Sequence, residues 1–466
     1  MSSYLPRGVN RPHDPANQLE FVRGEGCYLW DKDGNRYLDF VSGYSSLVFG
    51  HSHPRLVAAA KDQLDKLVHV VGWNHPWRSQ LAERLAQIAP VQQPARVWIS
   101  TTGARAIEIA WKIAFANRPG AIVSFDYAYH GRSIATSQIT NTNSIDIPLP
   151  QSIKRIDAGN RSPISLPVLP YPTCEDCPLG LNRSSCAAEC FDESEAWLRT
   201  HQKGISAVIV EPALGARGYY FAADPFFHRL RKITFDLGIL LIDDEIQMGL
   251  GRLGSMFAAS QQGWEPDMVV LGKSLGGGLV NVSAVIGPDK LMNTLPPGVE
   301  SETFAADPLA CRIALEALDV FEHELQPHLF ILSEALETGV CRLHSELKKR
   351  FPVHCFQVDS QGCAAVIQVL PETFGSETHV ESSYTSIAET WTQNALENGL
   401  LVHWSGKRRD RIVMIPPLVA SQEMVKHAID ILVASLPTES QIHLATGLLV
   451  GRLGQSTVPI GIRRPT

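Results

Sequence analysis

The sequence predicts an α/β fold in which a large domain carries a mostly parallel central sheet and a smaller α+β domain follows it. Two observations carry the sheet. Ile239 to Ile242 and Met268 to Leu271 are short apolar runs bounded by turn signals, the pattern of strands covered on both faces. A third sets the domain split: beyond residue 320 the pattern changes to helix, hairpin, helix, strand pair and helix. The expected organisation is an N-terminal arm over 1–60 contributing to the small domain, a large domain over 61–319, a small domain over 320–436 and a tail over 437–466.

Both apolar runs stop at ionisable residues. The first ends at Asp243, Asp244 and Glu245, the second at Lys273 before a Gly-rich turn. Ligands of open α/β sheets sit beyond the carboxyl ends of the strands. A lone charge there is ordinary, because strands often end in solvent. An amine beside a carboxylate is a different matter. Pyridoxal phosphate chemistry needs a lysine to hold the aldehyde as a Schiff base and an acid to keep the pyridine nitrogen protonated. Opposite charges about 4 Å apart at an effective dielectric near 20 interact by about 4 kcal/mol, or about three pKa units.

Composition bounds the alternatives. The chain has 466 residues, 19% charged and 44% hydrophobic, long enough for two domains sharing a site. A net charge of -7 argues against a nucleic-acid partner, which would need a basic face. The N-terminus has no apolar signal core and no apolar run is long enough to span a membrane, so a cytoplasmic protein is expected. Nine cysteines, five of them scattered, do not make a secreted disulfide framework.

In chain order, Gly26 to Phe40 reads as a hairpin about Asp33, Gly34 and Asn35. His51 and His53 lack the spacing of helical metal ligands and are expected to be structural. Leu81, Leu85 and Ile88 mark one helix face that stops at Pro90. After the strand RVWIS, a helix begins at Gly103 with Ile107, Trp111 and Ala114 on its buried stripe. Its N-terminus offers free N–H groups and a positive dipole end, a ready phosphate cup. Cys174, Cys177, Cys186 and Cys190 form a C-x2-C, C-x3-C array that could wrap a zinc or form a cluster of reduced thiols. Asp224 as N-cap, Pro225 at the first helical position and Gly238 past the end frame the helix that feeds the central strand.

DDEIQMGLGRLG followed by PDMVVLGKSLGGG resembles the cofactor segment of the class III (subgroup II) aminotransferases, pyridoxal phosphate enzymes of fold type I. The resemblance implies that Lys273 carries the cofactor, Asp244 pairs with the pyridinium nitrogen, Ile246 packs on the ring and Gln247 bonds the ring hydroxyl. YAYHGRS is similar to the family's "YHG" element, implying that Tyr129, beside His130, stacks on the ring. "GH..P" is matched by Gly50, His51 and Pro54, and "TFxxNP" by the segment of Thr303, a threonine that in the family reaches the partner subunit's phosphate. A homodimer with shared sites follows as an expectation.

The chain also departs from the family. "SG(S/T)EA" becomes Thr102, Gly103, Ala104, Arg105, Ala106, losing the phosphate-binding hydroxyl at Ala104. An arginine in a first helical turn opposes the dipole by about 0.3 to 1 kcal/mol. Arg105 therefore either pairs with the phosphate or a substrate carboxylate, or points into solvent. After Glu211 and Pro212, "QGEGG" becomes Leu214, Gly215, Ala216, Arg217, Gly218, which puts 2-oxoglutarate as acceptor in doubt. The family's carboxylate-binding arginine before "PPL" is Val413. Either the substrate is an amine with its charge elsewhere or new cations replace the clamp, with Arg217, Arg105 and Arg411 as the candidates, in that order.

The insertion bearing the cysteine array resembles a branch containing archaeal aminobutyrate aminotransferases and amino-acid racemases, without an obligatory metal. The expected function is amino-group transfer between an atypical amine or amino acid and a keto acid. The alternatives are a racemase or epimerase of the same fold and a non-catalytic binding protein.

Overall fold

The computed structural model describes residues 15–141, 166–174, 177–181, 183, 185–350, 356–370, 386–406, 409–438 and 441. Most of the tail expected over 437–466 lies outside the described residues, as does Cys355. Strands β1 (Phe21–Glu25), β2 (Tyr28–Asp31) and β3 (Arg36–Asp39) form an antiparallel meander. The expected hairpin is β2 and β3. Asp31 closes its turn by accepting from the backbone N–H groups of Asp33 and Asn35 at 3.0 and 2.8 Å. His51 Nε2 meets Asp39 Oδ2 at 2.8 Å, tying the following loop to β3.

The central sheet is built from β4 (Ala95–Ser100), β5 (Ala121–Phe125), β6 (Val168–Leu169) and β7 (Ile205–Val210), then, after a small ribbon of β8 (Ala213–Leu214) and β9 (Tyr220–Phe221), from β10 (Leu240–Asp244), β11 (Met268–Leu271) and β12 (Ser283–Pro288). Its seven strands run in the order β4-β12-β11-β10-β7-β5-β6. Only β12 opposes its neighbours, so the sheet is mostly parallel. Helix Gly103–Asn117 packs Ile107, Ala110 and Ala114 on one face, against Ile209, Ile242 and Val270. Helix Asp224–Asp236 packs Phe226, Leu230 and Ile233 on the other, against Val208 and Leu241. Burying each large apolar side chain contributes roughly 1.5 to 3 kcal/mol, and two-sided cover is why these strands read as unbroken apolar runs.

The central strand differs from the expected Ile239 to Ile242. It begins at Leu240 and includes both aspartates, because the parallel ladder continues through Asp243–Val269 and Asp244–Val270 to Glu245 N–H on Val270 O at 3.0 Å. Asp224 likewise is the first helical residue and not the cap, since the extended residue before the helix is Ala223.

The second sheet is antiparallel: β13 (Phe356–Gln361), β14 (Ala364–Val369), then, after β15 (Leu400–Leu401), β16 (His403–Ser405) and β17 (Arg411–Met414), in the order β13-β14-β17-β16. Helices Leu329–Arg350, Ile387–Glu397 and Gln422–Ala434 accompany it. The N-terminal meander joins this part of the chain where β15 pairs in parallel with β3. Among the described residues no helix is long and apolar enough to cross a membrane.

Candidate active site

Because β10 and β11 are parallel neighbours, their carboxyl ends deliver Asp244 and Lys273 to the same edge of the sheet. Lys273 takes a left-handed φ of 42° and donates from Nζ to Gln247 Oε1 at 2.7 Å. Burial lowers its pKa from 10.5 to about 8, against the opposing pull of Glu211 and Asp244. A non-glycine residue held in that conformation is strained, and such strain collects at functional sites.

Asp244 is 3% exposed, with Oδ2 2.7 Å from His130 Nδ1 and Oδ1 accepting the Ile246 N–H at 3.1 Å. A carboxylate accepts only, so His130 Nδ1 is the donor. The backbone N–H of His130 donates to Thr140 Oγ1 at 2.9 Å, which fixes the ring's approach. Its Nε2 is buried with no hydrogen-bond partner among the described residues. Glu211, at the end of β7, accepts the Tyr129 N–H on Oε1 at 2.7 Å. Burial raises its pKa to about 7; Asp244 adds to the rise, while His130, the Tyr129 N–H and Lys273 oppose it. Sequence reading placed Glu211 only at a strand end; its position among Asp244, His130 and Lys273 is new.

The floor of this cluster is a cradle that only small residues leave open. A Cβ on Gly103 would lie 2.9 Å from Ile246 Cδ1, and one on Gly131 would lie 2.7 Å from Ala104 Cβ. Gly103 and Ala104 form the first turn of a 15-residue helix capped by Thr102, whose Oγ1 accepts the Arg105 N–H at 3.3 Å. First-turn N–H groups have no helical acceptor and attract an anion. An amine of lowered pKa, a buried carboxylate with its own donor, and a helix N-terminus whose Gly103 abuts Ile246 are therefore brought to one edge of the sheet. That donor set fits an aldehyde-bearing, phosphorylated pyridine.

The class-III aminotransferase family model matches residues 9–436. The chain belongs to that family. It is 31% identical to the 5-aminovalerate aminotransferase of Pseudomonas aeruginosa, over 92% of this chain and 95% of that one. The 4-aminobutyrate aminotransferase of Escherichia coli gives the same identity and coverage. A leucine/methionine racemase of Thermococcus litoralis is 33% identical over 65% of this chain and 67% of its own. Among solved structures, an ornithine aminotransferase from Toxoplasma gondii whose active site carries PLP at partial occupancy superposes with a TM-score of 0.73, at 25% identity, covering 93% of this chain and 92% of that one. The fold is that of the fold type I enzymes, and the family depends on pyridoxal phosphate.

The departures from the family take definite positions in this class-III aminotransferase. Arg105 does not stand free in either expected sense. Its guanidinium meets Glu300, together with Glu108 and Glu302 at 3.2 Å each. These carboxylates offset the dipole penalty and tie the cup to the segment before Thr303. Thr303 itself is exposed. Arg411 is fully buried and engaged, donating to Gly218 O at 2.8 Å, Tyr219 O at 3.2 Å and Gln368 Oε1 at 3.3 Å. Val413 is fully buried among Ala213, Tyr219, Phe221 and Met248.

Arg217 is the remaining cation. It is 5% exposed, its guanidinium lies 5.0 Å from the Tyr127 ring, and Nε and Nη2 have no hydrogen-bond partner among the described residues. Burial lowers its pKa.

Cys174, Cys177, Cys186 and Cys190 are free thiols around one cavity of about 20 Å³. Among the described residues no group of three or more His, Cys, Asp or Glu is arranged to hold a metal ion. Burial pushes the Cys174 thiol up to about 11.

Proposed function

We propose that this aminotransferase binds pyridoxal 5'-phosphate in the Gly103 cradle and moves an amino group between a carboxylate-bearing amine or amino acid and a keto acid. The observation that carries the reading is the convergence of Lys273, Gln247 and the His130–Asp244 pair at the open helix N-terminus. When bound, the cofactor supplies an aldehyde for the amine and an electron sink for the carbanion.

This chain's residues do the rest. The first-turn N–H groups of Gly103 and Ala104 hold the phosphate, in place of the hydroxyl missing at Ala104. Ile246 and Tyr129 confine the ring. Asp244, oriented by His130, holds a proton on the ring nitrogen, and Gln247 binds the ring hydroxyl. Lys273 Nζ, with a pKa of about 8, takes and returns the proton at the substrate α-carbon near neutral pH.

Arg217 binds the substrate carboxylate. A buried guanidinium without an acceptor is costly, and a ligand carboxylate supplies one. Val413 and the side chains around it keep the family's usual clamp position apolar. Ala216 stands where the family's gating acid would, so the acceptor need not be 2-oxoglutarate.

The active unit is a homodimer with shared sites. Exposed Trp73, Ile134 and Phe304, at 76, 65 and 63%, support it, and Thr303 beside Phe304 serves the partner's phosphate. A racemase is the second reading, favoured by the similarity to the leucine/methionine racemase. Purified enzyme mixed with amines and amino acids, with and without pyruvate or 2-oxoglutarate, separates the two. Keto product that requires an added keto acid supports transfer. Inversion with deuterium uptake and no keto acid overturns it.

A further inference from the structure

We infer that Tyr219 is a positioning residue whose phenol sets the orientation of the Gln247 carboxamide and thereby the hold of that carboxamide on the Lys273 amine. The direction of the hydrogen bonds carries the inference. Lys273 Nζ donates to Gln247 Oε1 at 2.7 Å, and Gln247 Nε2 donates to the Tyr219 hydroxyl at 3.0 Å. An ammonium has no acceptor, so the carboxamide must turn its oxygen to Lys273 and its NH2 to Tyr219. The Tyr219 hydroxyl lies 3.4 Å from Ser45 Oγ, which itself accepts from Arg252 Nε at 2.9 Å. Arginine only donates, so the Lys273 and Arg252 ends of the chain both donate inward, toward the two hydroxyls.

The phenol is held in place at some conformational cost. Tyr219 is fully buried at a φ of 60°, a conformation that side chains larger than glycine rarely adopt. Its N–H donates to Leu214 O at 3.0 Å, and Arg411 grips the carbonyls of Gly218 and Tyr219. Gly218, at a φ of 110°, has no room for a side chain, since a Cβ would lie 2.9 Å from Arg411 Cδ. Arg411 is thus a staple for the turn that presents the phenol.

The ionisable groups facing Lys273 are Glu211 from the end of β7 and Asp244 from β10, the latter bonded to His130, while Arg252 faces Tyr219. Against that fixed background, an acceptor aimed at Nζ favours the ammonium form. Losing the Tyr219 hydroxyl frees Gln247 to turn, removes that acceptor and lowers the pH at which Lys273 becomes neutral.

The inference rests on Lys273 being the reactive amine, but its test needs no cofactor. In cofactor-free protein, reductive methylation of Lys273 by formaldehyde and cyanoborohydride is followed by peptide mass against pH. Tyr219→Phe should move the midpoint down by about half a pH unit or more, for the loss of one hydrogen bond to the charged form. Gln247→Leu should move it at least as far, and the double variant no further. Ser45→Ala, which removes the hydroxyl that meets the phenol, should shift it the same way, and it decides the matter if Tyr219→Phe does not fold. Wild-type midpoints in the folded variants would overturn the inference. Failure of the protein to bind pyridoxal phosphate would instead overturn the proposed function and leave these midpoints as they are.

Discussion

His130 Nδ1 lies 2.7 Å from Asp244 Oδ2, with the two side chains 0% and 3% exposed. A buried carboxylate is stable only when its lone pairs are met, and here an imidazole N–H and the Ile246 backbone N–H meet them. The pair fixes the Asp244 carboxylate at the end of β10, beside the strand that leads to Lys273. Asp244→Asn should therefore keep measurable affinity for pyridoxal phosphate while lowering turnover at least about a hundredfold, the usual scale for losing a preorganised charge. His130→Phe should cost less, about tenfold. A rate near wild type in Asp244→Asn would mean that another group protonates the ring nitrogen.

Lys273 should titrate early. With a pKa lowered to about 8, the neutral amine grows as pH rises and levels off above that value, whereas an ordinary lysine levels off near 10.5. At pH 7 the difference of about 2.5 units makes Lys273 about 300-fold richer in neutral amine than an exposed lysine. Competitive labelling of cofactor-free protein with a small aldehyde, resolved by peptide mapping, measures this. A Lys273 midpoint at the ordinary lysine value would contradict the site's dry environment.

Arg217 should matter to substrate more than to folding. Arg217→Met removes a buried cation without an acceptor, so the thermal midpoint should stay the same or rise. KM for a carboxylate-bearing amino donor should rise by about ten- to a hundredfold, the scale of one charge-assisted hydrogen bond. An unchanged KM, tested on the best donor of the amine panel, would remove Arg217 from the substrate site.

The proposed shared site couples assembly to cofactor. Phe304→Asp, which places a charge on an exposed apolar residue, should shift the protein toward monomer in sedimentation and release pyridoxal phosphate together with dissociation. A fully active monomer would contradict this.

Local patterns in the sequence were informative where the physics is local. The run Met268 to Leu271 coincides with β11, since both of its faces are covered and no alternation is needed. Gly238, read as the residue past the end of its helix, follows the cap Leu237 at a left-handed φ of 62°. Long-range partners were not legible. Arg105 looked like a free cation because Glu300 and Glu302, nearly 200 residues away, give no signal beside it. Arg411 looked available until the β8–β9 ribbon placed two carbonyls on it. Tyr219 carried no motif, and its link to Gln247 exists only because Gly218 and Arg411 turn the chain there. Glu211 was visible as the acid of a strand end, but its neighbours Asp244 and His130 come from β10 and from the loop after β5.

The central claim is that Lys273 is the amine that holds pyridoxal phosphate at the junction of β10 and β11. The most direct measurement is borohydride reduction of the cofactor-loaded protein followed by peptide mapping, with the visible absorption of Lys273→Ala recorded alongside. The account predicts one reduced pyridoxyl label, on Lys273, and loss of the visible band in the variant. A label on another lysine, or an undiminished band in Lys273→Ala, would contradict it.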